Sequence, residues 1–210
     1  MGARSLCLAA AVVVTAVGAP PAAARGGNYV FAGGTRFERA QVRAALEASL
    51  FDWDVVPQQI TIRIAPGLAP SAEAGTIDLD SRLLDAGRFA WGVVQHEYAH
   101  QVDFFVLDDG MRAQLAVALG GTSWWQMPNP LPHQALTCER FASTLAWAYW
   151  PSPDNVIRPT APTDEAGSVA PAAFRTLLDG LLSLPRRLVR VIRAEPPQDP
   201  ARSGPFLFAA

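Results

Sequence analysis

The chain contains no lysine: all 17 basic residues are arginine, which we read as coding bias and not as a device. Against 19 acidic residues they leave a formal net charge of -2. A chain so balanced has no positive field to gather nucleic acid, so a nucleic-acid partner is not expected. Cysteine is nearly as scarce, with only Cys7 and Cys138. Cys7 lies in a stretch that reads as a removable leader, which leaves Cys138 alone and rules out an internal disulfide in the mature chain. Cys138 is read as a buried, inert thiol. A metal-binding or inhibitory thiol is the other reading, since Glu139 is its neighbour. Beyond the N-terminus no run is long and apolar enough for a membrane span. There is no internal repeat.

The N-terminus carries Arg4, an apolar run from Leu6 to Val17 and an Ala22-Ala23-Ala24 cleavage site. This is the pattern of a secretory signal over residues 1–24, with an uncleaved anchor as the alternative. The expected mature protein begins near Arg25, is secreted to the medium or cell wall, and is monomeric. No propeptide is evident. Half of the residues are hydrophobic, ample for one core, and a single domain is expected over 25–185. Residues 186–210 read as a tail, with Arg186, Arg187, Arg190 and Arg193 among aliphatics and then prolines. A surface strand, disorder and a membrane-touching basic segment all fit it.

Thr35-Arg36-Phe37-Glu38 has the form of a capping box and opens a helix to about Leu50. Its buried stripe is Val42, Ala45, Leu46, Ser49 and Leu50. Gln59 to Ile64 alternates as a strand with Ile60, Ile62 and Ile64 inward. Pro66-Gly67 and Pro70 read as a loop. Gly75 to Asp80 reads as a second strand, with Asp78 and Asp80 as caps or solvated positions. Helices follow over about Arg88–Val106, with Val93, Val94 and Tyr98 packing inward, and over Met111–Leu119. Thr122 to His133 reads as a loop packed over the site, with Trp124 and Trp125 either core or pocket lining. A helix from Gln134 to Trp150, a loop over 151–170 and an amphipathic helix from Pro171 to Leu184 complete the chain. The expected class is α+β, a small twisted sheet whose edge strand, over residues 75–80, packs on a central helix and is open to an added peptide strand, with a second functional helix in a mostly helical C-terminal half.

The chemistry concentrates in His96-Glu97-Tyr98-Ala99-His100. Residues four apart share a helix face, so His96 and His100 can hold one metal ion between them. Glu97, the next residue round, can reach a water there. Two imidazoles and an adjacent carboxylate are the parts of zinc-assisted hydrolysis. A catalytic zinc takes a third protein ligand. A histidine at 106, with glycine at 103, would mark a metzincin; those positions are Val106 and Asp103, which excludes that branch. His133 is the only other histidine. Glu139 is the better candidate: it sits in an apolar helical segment, where an unpaired charge is costly. A salt bridge to Arg140 or another arginine is its alternative.

His96-Glu97-Tyr98-Ala99-His100 followed by Glu139-Arg140-Phe141-Ala142 resembles the gluzincin branch of the zincin metallopeptidases. Asp103 and the Glu-x-Phe-Ala core make it most similar to the anthrax lethal factor family, over about residues 76–150. The resemblance implies that His96, His100 and Glu139 bind zinc, that Glu97 is the general base, and that the strand before the central helix lies along the substrate. It implies a peptide or protein substrate. Two positions depart from the pattern. Ser143 stands where many gluzincins place an acid that orients a zinc-bound histidine; serine accepts more weakly, and Asp103 is a candidate for part of that role or for a helix-end cap. Pro132 stands where the lethal factor relatives have an oxyanion-steadying tyrosine. Its neighbour His133 could donate to the oxyanion or be a plain surface histidine. These departures keep a catalytically inactive, metal-binding secreted module open as an alternative. A structural protein with an accidental motif and an enzyme for cell-wall amides are the others.

Overall fold

The computed structural model describes residues 26–125 and 132–183. The expected leader, the tail and the middle of the Thr122–His133 segment lie outside the described residues. Four strands form one mixed sheet: β1 (Tyr29–Gly33), β2 (Ile60–Ala65), β3 (Ser71–Glu73) and β4 (Thr76–Asp80), in the order β1-β2-β4-β3. The first three in that order are parallel, and β3 is antiparallel to β4. Six helices accompany them among the described residues: α1 (Arg36–Ala48), α2 (Ser81–Leu84), α3 (Trp91–Phe105), α4 (Asp109–Leu119), α5 (Thr137–Tyr149) and α6 (Pro171–Ser183). This is an α+β arrangement with its helices concentrated in the second half, and no helix among the described residues is long and apolar enough to cross a membrane.

The capping box at Thr35 and Glu38 forms as the sequence predicts. Helix α1 ends at Ala48, so Leu50 falls past the stripe and is 61% exposed. The isoleucines of β2 point inward with Ile77 and Leu79 of β4, against Val42 and Leu46 of α1 and Val94, Tyr98 and Val102 of α3. Val93 is only half-buried, and the buried stripe runs instead through Val94, Tyr98 and Val102 at four-residue spacing. The outer side of the sheet carries the Arg63–Asp78 ion pair. Asp80 caps α2 through Arg82 N, the role expected of it.

Two strands were not visible in the sequence, and one of them corrects an expectation. Strand β4 is not an edge: β2 pairs with one side of it and β3 with the other. A peptide therefore cannot add along residues 75–80. The two edges of the sheet are β1 and β3, and β3, in the segment read as a loop, is the one beside β4. Its place is fixed from α3 by one side chain, Gln101. That amide donates to Glu73 O at 3.0 Å and Thr76 O at 3.2 Å, and accepts from Gly75 N at 2.9 Å.

Helix α3 is buried almost all round, and it packs most extensively against α5. Gln95 anchors it to α1 by donating to Ala45 O at 2.6 Å. The loop over residues 151–170 closes on its start. There Asn155 is buried and donates to Ala146 O and Trp150 O, and Gly92 leaves the only room for it, because a Cβ would collide with the Asn155 amide.

Candidate metal centre

Helix α3 places His96 and His100 one turn apart, and the first turn of α5 brings Glu139 to meet them. The Nε2 atoms of the two histidines are 3.2 Å apart, and Glu139 Oε2 lies 3.2 Å from each. All three residues are buried, and together they could hold a metal ion. Glu139 pairs with histidines and not with Arg140. Burial alone would push its carboxyl up; hydrogen bonds with His100, His133 and His96 outweigh that and hold it well below the usual range. Glu97, on the same turn of α3, is pushed up to about 7 by burial, with His96 opposing and Glu139 adding to the shift.

His133 is not a detached surface histidine. It begins a short 3₁₀ turn, His133–Ala135, just before α5. Its Nε2 is 3.1 Å from Glu139 Oε2, and its ring stacks on His96 at 6.3 Å between centroids. The Glu139 carboxylate first, and Glu165 second, raise its pKa to about 10.

Ser143 lies one turn beyond Glu139 on α5. Its Oγ is 3.0 Å from His96 Nδ1, so the serine does take the orienting position behind that ring. The same hydroxyl donates to Glu165 Oε2 at 2.6 Å. The other oxygen of Glu165 meets His133 Nδ1 at 2.7 Å. Glu165 escaped the sequence reading altogether. The one available signal was a missing acid at position 143 together with the adjacent acids Asp164 and Glu165 in the loop that follows α5.

Asp103 has neither role expected of it. It is fully buried and accepts from Arg112 Nε and Trp124 Nε1, both at 2.8 Å, while Arg112 also donates to its backbone carbonyl. It thus ties α4 and the tryptophan segment to α3. Burial pushes its carboxyl up, against the pull of those two donors. Trp124 packs on the core, whereas Trp125 is 38% exposed and stacks on Phe104 at 5.7 Å. Phe104 in turn stacks on His100, so an aromatic wall flanks one side of the histidine pair. Cys138 is buried with its thiol pushed up by that burial, as an inert cysteine would be.

Comparisons of the chain with protein-family models, with curated proteins and with solved structures find no match.

Proposed function

We propose that this chain is a zinc-dependent peptidase of the gluzincin kind, secreted, and acting on peptide or protein substrates. The observation that carries the proposal is the triangle of donor atoms. Zinc bonds to nitrogen and oxygen are about 2.0–2.1 Å, so tetrahedral angles set neighbouring ligand atoms about 3.3–3.4 Å apart. Here the three donors stand 3.2 Å from one another. Two imidazole nitrogens and a carboxylate oxygen, buried and facing one point, are costly to assemble without a cation between them.

A zinc ion held there would act as a Lewis acid toward a carbonyl and make a water molecule easier to deprotonate. Glu97 is the base for that proton. Its pKa of about 7 suits it both to take a proton and to give it up near neutral pH, so the same carboxyl can hand the proton to the leaving amine. His133 carries a proton on Nδ1 toward Glu165. As an imidazolium it also offers Nε2–H toward the Glu139 side of the site, where it can donate to a developing oxyanion. The free edge of β3, held to α3 by Gln101, can pair with an extended peptide. The departures at 132 and 143 keep a non-catalytic module open, and His133 beside Glu139 with Glu165 behind Ser143 supports the catalytic reading.

Metal analysis of the wild type beside Glu139→Ala tests the site: about one zinc per chain and a clear loss in the variant are expected. Equal zinc in both would remove Glu139. Glu97→Gln should keep its metal and lose cleavage of casein. Cleavage of peptidoglycan but not casein would move the substrate to a cell-wall amide. Metal-loaded protein inert toward both would leave the binding module.

A further inference from the structure

Behind the donor triangle the hydrogen bonds run in one direction. Ser143 has a single hydroxyl proton and gives it to Glu165 Oε2. Its Oγ can then only accept from His96, so Nδ1 of that ring carries a proton and Nε2 is the atom left to meet a cation beside Glu139 and His100. An ionised Glu165 is acceptor-only, so its second oxygen likewise requires a proton on Nδ1 of His133. One carboxylate therefore stands behind two different histidines, one directly and one through a serine.

We propose that Glu165 is the positioning residue of this centre: through Ser143 it fixes the tautomer and ring orientation of His96, and directly it holds His133 beside Glu139. The proposal rests on the metal-site reading above and adds a residue from outside both helices. The supporting loop is built to hold the carboxylate still. Asp164 accepts from Thr160 N and Ala161 N at 2.6 and 2.9 Å, and its carbonyl receives Gly167 N at 2.9 Å, which closes a tight turn around Glu165. The Glu165 carbonyl accepts from Thr144 Oγ1 at 3.5 Å, at the limit of a hydrogen bond, so the loop is also tied to α5. A cavity of about 480 Å³, lined by Ser143, Glu165, Gln134 and Arg158 among others, adjoins this relay.

The test is zinc affinity, measured on the full chain by competition with a chromophoric chelator. The proteins are wild type, Glu165→Gln, Ser143→Ala, the double variant, and Ser143→Asp combined with Glu165→Gln. Loss of a residue orienting a ligand typically weakens metal binding about 10–100-fold. Each single variant should fall in that range, and the double variant should be no weaker than the weaker single, since both cut one relay. Aspartate at 143 reaches the His96 ring without help, so it should restore zinc affinity in the Glu165→Gln background. It should not restore kcat there, because His133 still lacks its anchor. The ¹⁵N spectrum of labelled histidine should show His96 losing its single Nδ1–H tautomer in Glu165→Gln. Wild type binding one zinc, with Glu165→Gln within threefold of it, would overturn this proposal and leave the metal reading intact. Strictly additive losses in the double variant would overturn it too. Wild type binding no zinc would overturn both.

Discussion

Burial keeps the Glu97 carboxyl protonated up to about pH 7, where a solvated glutamate would ionise near 4.5. Between those two values the folded protein holds a proton that the unfolded chain has released. Stability therefore falls as pH rises through that window and is flat with respect to this group above it. The displacement corresponds to about 3 kcal/mol at most. In the presence of a chelator, the melting temperature of Glu97→Gln minus that of wild type should grow from pH 4.5 to pH 7. A constant difference would mean that Glu97 is solvated. The residues with this much chemistry were legible to different degrees. His96, Glu97 and His100 are adjacent in sequence, and helical periodicity alone places them together. Glu139 was legible because a carboxylate among Leu136, Phe141 and other apolar residues needs a partner. Glu165 was not: it meets Ser143 and His133 only through the path of a loop with no period to read.

At the scale of elements, Gly92 decides how closely the 151–170 loop can approach α3. Exchanging glycine for alanine inside a helix normally stabilises by about 0.5–1 kcal/mol, because the unfolded chain loses freedom. At Gly92 the sign should reverse. A Cβ there collides with the buried Asn155 amide, which is tied to two carbonyls and cannot step aside. Overpacking of this kind costs about 1–3 kcal/mol. Gly180→Ala in α6 is the control, since nothing lies within 4 Å of a Cβ there. Denaturant unfolding should give a loss for the first and a small gain for the second. A gain at both would show that the loop yields freely, and Glu165 with it. Helices and strand β2 were legible because each carries its own period over many residues. Strands β1 and β3 were not. The first is five residues beside glycines and the second three residues in a turn-rich stretch. Strand β1 exists because a partner far along the chain supplies its hydrogen bonds, as Tyr29 pairs with Ile60, and β3 is the short arm of a hairpin with β4, held in place by Gln101 of α3.

For the molecule as a whole, α3 is the seam. The sheet and α1 pack on one side of it, and α5, which carries α6, on another. The candidate ligands come from both sides of the α3–α5 contact, so a bound cation would cross-link two helices that belong to one core. A ligand that binds only the folded state stabilises it by about 2.7 kcal/mol when present at 100 times its Kd. For a domain of this size each kcal/mol moves the melting temperature by about 2–4 °C. Removing zinc from the wild type with a chelator should then lower its melting temperature by about 5–10 °C, and restoring zinc should reverse the change. Glu139→Ala has lost the α5 end of the cross-link, so its melting temperature should respond little to either treatment. A wild type indifferent to chelator would show that the two helices meet at this triangle without a metal. The three histidines around Glu139 would then be a hydrogen-bonded core cluster, and the case for hydrolysis would fall with the ion.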